Sequence, residues 1–282
     1  MPVVIVTDSS SRLPMSLADK YGIAQVPLHV TVADGTEYLE GVDDIPAHVV
    51  SSPNTSTSGA SLADLRAAYA KAIDISDGDG VVAVHMSRRL SGTWSAARLA
   101  SDALDGRVRV VDARSVGVSL GLTTIAAAQA AAGGADCDGV YEAAVRSAAT
   151  AESLMCVQSL DNLRNSGRLS AAGKLFGSAL SIKPILHISD GVLALRERHR
   201  TMTKALAKMV DAAVELADGE PVTLGIQHCQ NPDLAAEVLA MLTERLDDVT
   251  STLTVDLGPV LGSHVGPGAV GVALAHGLQP MD

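Results

Sequence analysis

Two hydroxyl-rich stretches carry the residue types best suited to holding an anion. One is Thr55-Ser56-Thr57-Ser58, which runs into a segment of helical spacing over residues 61–73. Ser61 followed by Asp64 fits a capping box, so this loop ends at a helix N-terminus. The other is Ser91-Gly92-Thr93, which follows an apolar run at 81–86 and opens a helix at Trp94-Ser95-Ala96-Ala97. Hydroxyls, unpaired backbone N–H groups and the positive end of a helix dipole converge there, a combination that favours a bound carboxylate or phosphate. Either loop alone also reads as an ordinary cap and turn; it is the pair, on one sheet, that points to a ligand.

His264 stands in Gly262-Ser263-His264-Val265-Gly266-Pro267-Gly268-Ala269-Val270-Gly271. An imidazole between glycines at a helix entrance can donate to an anion, act as a base, or simply shape a turn. Arg168, in Arg164-Asn165-Ser166-Gly167-Arg168-Leu169-Ser170, precedes a helix capped by Ser170 and offers a fixed positive charge or a carbonyl contact. A second reading stays open: a serine hydrolase or acyltransferase with Ser91 as nucleophile, His264 as base and Asp8 or Asp112 orienting it. No GxSxG elbow surrounds Ser91. Gly266-x-Gly268-x-x-Gly271 matches the dinucleotide fingerprint in form, but the eleven residues after Gly271 cannot complete a βαβ unit. Residues 167–174 resemble a P-loop with one residue too many between the glycines, and Leu175 stands where Ser or Thr must meet magnesium. HExxH and CxxC spacings are absent, and no metal or cofactor is expected.

These candidates need a scaffold that brings distant loops together. Apolar runs at 3–7, 26–32, 81–86 and 108–112 read as strands, with helical spacing at Leu62, Leu65 and Tyr69 and over 119–149, broken at Gly133-Gly134. Strands alternating with crossover helices make a parallel sheet, whose ligands gather at the carboxyl ends of its strands. Beyond about residue 150, helical stretches at 171–180, 202–216 and 234–246 alternate with extended runs at 182–188, 192–197, 222–228 and 251–255. Ser189-Asp190-Gly191 reads as a hairpin turn, so the later sheet is mixed. The expected class is α/β with two domains: an N-terminal parallel-sheet α/β/α domain over 1–150 and a C-terminal mixed-sheet α/β domain over 151–282.

Composition narrows the function classes. With 282 residues, 47% hydrophobic and 19% charged, the chain can bury a large core and is unlike a disordered protein. A formal net charge of −11 repels phosphate backbones, which argues against nucleic acid as a partner. Arg196, Arg198, His199, Arg200 and Lys204 form a basic cluster in this acidic chain, either a solvated face or a dock for an acidic partner. Aromatic residues at 2% argue against a site built on stacking. No apolar run reaches the ~18 residues of a membrane span, and no basic region precedes the first strand. Three scattered cysteines, Cys137, Cys156 and Cys229, fit reduced thiols, and a cytoplasmic location is expected.

Taken together, these segments resemble the DegV family. The matching pieces, in the family's order, are Thr7-Asp8-Ser9-Ser10, Thr55-Ser56, Ser91-Gly92-Thr93-Trp94-Ser95-Ala96, and Val111-Asp112-Ala113-Arg114-Ser115. Asn165-Ser166-Gly167-Arg168-Leu169, Ile182-Lys183-Pro184-Ile185-Leu186 and Gly262-x-His264-Val265-Gly266-Pro267-Gly268 follow. The sequence departs from the pattern at Thr57-Ser58, where many relatives carry Gln-Pro, and at Ala113, where a serine often follows the aspartate.

The resemblance implies a non-catalytic, cofactor-free binding protein that holds a long-chain fatty acid in a tunnel between two α/β domains, the C-terminal one covering the acyl chain. It also implies a partner, a separate ATP-dependent fatty acid kinase. That enzyme would phosphorylate the presented carboxylate to an acyl phosphate for phospholipid synthesis, with membrane contact transient at most. Carried onto this sequence, Thr55, Ser56, Ser91, Gly92, Thr93 and His264 would bind the carboxylate, with Arg168, Asp8 and Ser9 assisting or facing the partner. The physics fits. An unpaired buried carboxylate costs several kcal/mol, and hydroxyls with helix-terminal N–H groups satisfy it. A tail of ~15 carbons gains roughly 12 kcal/mol, at about 0.8 kcal/mol per CH₂, before ordering costs reduce it.

Overall fold

A computed structural model describes residues 3–52, 54–169 and 182–281. The first half comprises Val4–Asp8 (β1), Met15–Tyr21 (α1), Ala24–Val26 (β2), His29–Thr31 (β3), Glu37–Leu39 (β4) and Ser56–Ser58 (β5). Leu62–Ser76 (α2), Val81–His85 (β6), Thr93–Ser101 (α3), Val108–Asp112 (β7), Val118–Ala132 (α4) and Cys137–Thr150 (α5) follow. Strands β2-β1-β6-β7 form a wholly parallel sheet. β1 and β6 are buried at every residue, which is why they read as unbroken apolar runs. A separate antiparallel sheet has the order β4-β3-β5.

Two local expectations are corrected here. The single strand expected over 26–32 is split, because Pro27 has no N–H to give a ladder. The chain leaves the parallel sheet after Val26 and pairs again from His29 in the small sheet. Residues 55–58 do not run straight into a helix either. Ser56–Ser58 pair with β3, and the alternation of a strand turns Ser56 and Ser58 outward and Thr57 inward. Ser61 then caps α2 as expected, accepting from the Asp64 N–H at 3.1 Å.

The second half contains Glu152–Cys156 (β8), Asp161–Asn165 (α6), Lys183–Ser189 (β9), Val192–His199 (β10) and Met202–Ala217 (α7). Val222–His228 (β11), Pro232–Thr243 (α8), Val249–Asp256 (β12), Gly258–Val265 (α9) and Val270–His276 (β13) complete it. Its sheet has the order β10-β9-β8-β13-β11-β12 and is mixed, with β11 and β12 parallel and the other neighbours antiparallel. The β9–β10 hairpin turns at Asp190 and Gly191, both at positive φ (50° and 76°), as a two-residue hairpin turn requires. The glycine-rich tail hides a central strand, β13, that its composition did not announce. Residues 266–271 therefore lead from a helix into a strand, the reverse of a dinucleotide fingerprint's direction. The helix expected over 171–180, the cap at Ser170 and most of the P-loop-like run lie outside the described residues.

Helix α4 joins the two large sheets. It lies against β1 and β6 on one side and β11 and β13 on the other. Leu120, Leu122 and Ile125 are fully buried, each worth about 1.5–3 kcal/mol. Close approach on both sides demands small partners. A Cβ on Gly121 would stand 2.6 Å from the Ser11 carbonyl oxygen, and one on Gly225 2.7 Å from the Val118 side chain. The Thr123 and Thr124 hydroxyls, placed among apolar neighbours, donate back to the Ser119 and Leu120 carbonyls. The result is a mixed α/β fold in two sheet systems, as the hydropathy pattern predicts. Among the described residues no helix is long and apolar enough to cross a membrane, and Cys137, Cys156 and Cys229 are free.

Candidate functional site

A largely apolar cavity of about 830 Å³, its mouth included, opens where the parallel sheet, the mixed sheet and α9 meet. Met86 and Leu90 line it from beyond the end of β6, Leu186 and Leu193 from the mixed sheet, Leu257 from the residue before α9 and Leu261 from α9 itself. Hydroxyls and an imidazole interrupt the apolar lining at Ser91, Thr57 and His264, with Arg168 beside them.

The Ser91 loop owes its shape to its neighbours. Ser91 Oγ accepts from the Thr93 N–H at 3.2 Å and lies 2.9 Å from Thr93 Oγ1, which in turn accepts from the Ala60 N–H at 3.3 Å. With the Thr93 N–H directed onto Ser91 Oγ, its own proton can be turned to a ligand. Gly59 lets this happen: a Cβ there would stand 2.6 Å from Thr93 Oγ1 and 3.0 Å from Ser91 Oγ. Gly92 caps α3 without a side-chain bond, and Thr93 is wholly buried, so both support the loop from behind.

His264 sits in the last turn of α9, not at a helix entrance as expected, because the helix begins at Gly258 and the glycines after it end it. Its Nε2 lies 2.8 Å from Thr57 Oγ1. Burial, with the Arg168 guanidinium second, pulls the imidazole down to about 4, so the ring is neutral at pH 7. Arg168 donates to the Ser166 carbonyl at 2.5 Å and has no carboxylate partner among the described residues. Thr57, Arg168 and His264 also line an adjoining polar cleft, together with Thr55, Asn162 and Asn165. These three form the partition between an apolar chamber and a polar one.

Not every expected residue reaches the cavity. Thr55 and Ser56 line the polar cleft only, and the Thr55 hydroxyl donates to the Val49 and Ser52 carbonyls at 3.1 and 3.0 Å. Thr57, two residues on, takes the place expected for Thr55; the outward–inward alternation of β5 is the signal that would have found it. Asp8 and Ser9 are buried, and their hydrogen bonds run to other residues of the first half of the chain. Asp8 accepts from the Ser10 and Met86 N–H groups at 3.2 and 3.0 Å and from His85 Nδ1 at 3.0 Å, leaving His85 Nε2 to face the Tyr69 hydroxyl at 2.8 Å. Ser9 donates to Glu40 at 2.8 Å and accepts from the Leu28 N–H at 3.1 Å.

A hydrolytic triad is therefore not assembled. Asp8 serves His85, Asp112 accepts from the Arg114 N–H at 2.9 Å and pairs with Arg88, and His264 faces Thr57. Arg196, Arg198 and Arg200 are exposed at alternate positions on and after β10, while His199 pairs with Glu197 at 3.0 Å. Among the described residues no group of His, Cys, Asp or Glu is assembled to hold a metal.

Known proteins share this fold. A DegV domain-containing protein of Mycobacterium tuberculosis is 43% identical over 280 residues, covering 99% of each chain. A DegV family protein from Thermus thermophilus, whose structure is described for its fatty acid binding, superposes with a TM-score of 0.91 at 27% identity, covering 98% of this chain and 99% of that one. The structure of DegV from Bacillus subtilis, a fatty acid binding protein, gives 0.86 at 26% identity, with 98% and 99% covered. The family model described as an uncharacterised protein of the DegV family matches residues 2–276, and on that span this chain belongs to the DegV family.

Proposed function

We propose that this chain binds a long-chain fatty acid, with the carboxylate against Ser91, Thr57 and His264 beside Arg168 and the tail in the apolar cavity. The observation that carries this reading is the partition: neutral hydroxyl and imidazole groups, with one cation that has no carboxylate partner among the described residues, end a chamber lined mostly by hydrocarbon. A carboxylate gains charge-assisted hydrogen bonds there, and its tail leaves water. The fatty acid binding of the Thermus thermophilus and Bacillus subtilis proteins supports the same class of ligand.

The same partition suits presentation. A carboxylate held by Thr57, Arg168 and His264 would be reachable from the polar cleft while its tail stays enclosed, so a separate fatty acid kinase could phosphorylate it in place. In this reading the chain is a carrier and not an enzyme, working in the cytoplasm. Residues 1–150 supply Ser91 and Thr57, and residues 151–282 supply His264, Arg168 and most of the cover over the tail. Native mass spectrometry and organic extraction of the purified protein test it. One acyl lipid per chain, or uptake of added octadecanoate, is expected; protein that purifies empty and takes up no long-chain carboxylate overturns the reading.

A further inference from the structure

Besides the head-group residues, the cavity lining includes a hydrogen-bond donor that a plain hydrocarbon tail leaves unused. Gln227, on β11, is 1% exposed and lines the cavity. Its Oε1 accepts from the N–H of Val118, the first residue of α4, at 3.0 Å. This bond fixes which way the amide faces, since only the oxygen can accept; the Nε2 hydrogens point elsewhere. Among the described residues nothing accepts from Nε2.

Two glycines make room for this side chain. A Cβ on Gly117 would stand 2.2 Å from Oε1, and one on Gly271 3.1 Å from Nε2. Ser153, on β8, also lines the cavity, is 6% exposed, and makes no hydrogen bond through its hydroxyl among the described residues. The register sets the two on one face of the sheet. Gln227 is level with Gly271 and Met155, Ser153 is level with Ala273, and the strand between them offers only Gly271 and Ala273 as a floor. A tail seated there would bury an amide N–H₂ with no acceptor, which wastes affinity unless the tail supplies one.

We infer that the cavity selects acyl chains carrying an oxygen substituent, a hydroxyl or keto group on the hydrocarbon, that accepts a hydrogen bond from Gln227 Nε2. The inference rests on the fatty-acid reading above. Because the carboxylate is held at one end, a substituent reaches Gln227 from one stretch of the chain only, so the preference is positional. Ser153 offers a second, adaptable partner to a hydroxyl, which both donates and accepts.

The test uses the full-length chain, stripped of lipid, and competition binding of octadecanoic acid against a positional series of monohydroxy- and keto-octadecanoic acids. One position, or two adjacent ones, binds about ten-fold tighter than octadecanoic acid. Gln227→Met abolishes that preference, bringing the favoured isomer down to the affinity that the same variant shows for octadecanoic acid. Should this variant fold poorly for want of its bond to Val118, the wild-type series decides alone. Octadecanoic acid binding as well as or better than every oxygenated isomer overturns the inference and leaves the fatty-acid reading intact. Failure of all these acids to bind overturns both.

Discussion

The Nε2 of His264 lies 2.8 Å from the Thr57 hydroxyl oxygen, so the end of a helix in the second half of the chain is bonded to a short strand in the first. A neutral imidazole carries one N–H. With that proton on Nε2 it donates to Thr57, and the threonine proton is left free to meet an anion. The histidine then orients a donor without adding charge, and Arg168 supplies the charge nearby. A bound carboxylate would close the link between the two halves.

Thr57→Val keeps the shape of the side chain and its strand preference but removes this donor. Fatty-acid affinity should fall roughly 5- to 150-fold, the equivalent of ~1–3 kcal/mol for an unmet buried oxygen. Thr55→Val should leave affinity unchanged, because the Thr55 hydroxyl is committed to two backbone carbonyls. Isothermal titration of both variants checks the pair, and the opposite ranking would move the carboxylate into the polar cleft.

Gly59→Ala should act at a distance from the ligand. The added methyl would sit 2.6 Å from Thr93 Oγ1 and 3.0 Å from Ser91 Oγ, so the loop must shift away from it. Overpacking of this kind costs typically about 1–3 kcal/mol. Binding should weaken about as much as in Ser91→Ala, and the double variant should lose little more, because both act through one hydroxyl. Additive losses would mean Gly59 acts on something other than Ser91.

His264 also makes stability depend on pH. The folded protein keeps it deprotonated down to about 4, whereas the unfolded chain takes up a proton near 6.5. Between those values the unfolded state binds more protons, so stability is full above 6.5 and falls as the pH drops toward 4. The difference is worth about 3 kcal/mol. Urea unfolding of wild type and His264→Gln at several pH values isolates it, since other titrating groups are common to both. Parallel curves would mean that the imidazole is solvated.

Most of the secondary structure was legible because the strands of the parallel sheet, buried on both faces, leave contiguous apolar runs, and because α2 and the β9–β10 turn carry their own chemistry in Ser61, Asp190 and Gly191. What escaped were features decided by register. Pro27 ended one strand and began another. Thr57, not Thr55, faces the chamber because β5 pairs with β3 as it does. β13 was hidden by the glycines before it and by Gly271 within it, which leaves room for Gln227. Ser91, His264 and Arg168 were identified as residues, but their meeting depends on α9 crossing back over the first half, which local sequence does not encode. Gln227 carried no signal at all; an isolated glutamine in an apolar strand becomes legible only when Gly117 and Gly271 are beside it.

Glu40 offers a last test, of how α9 is held. Its carboxylate accepts from Ser9 Oγ at 2.8 Å and from the Val260 N–H at 3.0 Å, and Arg12 Nη1 stands 3.3 Å away. Burial is the largest influence on this group and raises its pKa, with Arg12 opposing. Val260 lies in the first turn of the helix that carries His264, so a carboxylate outside the cavity lining fixes one end of the helix that forms part of its wall. Glu40→Leu leaves the guanidinium without its carboxylate and the Val260 N–H without an acceptor. Breaking one side of a buried pair costs about 3–5 kcal/mol, so a large fall in the urea midpoint is expected. The double variant Arg12→Met, Glu40→Leu removes both charges and should recover most of that loss, since replacing a whole buried pair by apolar groups is often neutral. Recovery of stability without recovery of fatty-acid affinity would identify the Glu40–Val260 bond as the one that positions His264; a double variant as unstable as the single would show that Arg12 is held by Asp256, to whose carbonyl its Nε donates at 2.9 Å, and not by Glu40.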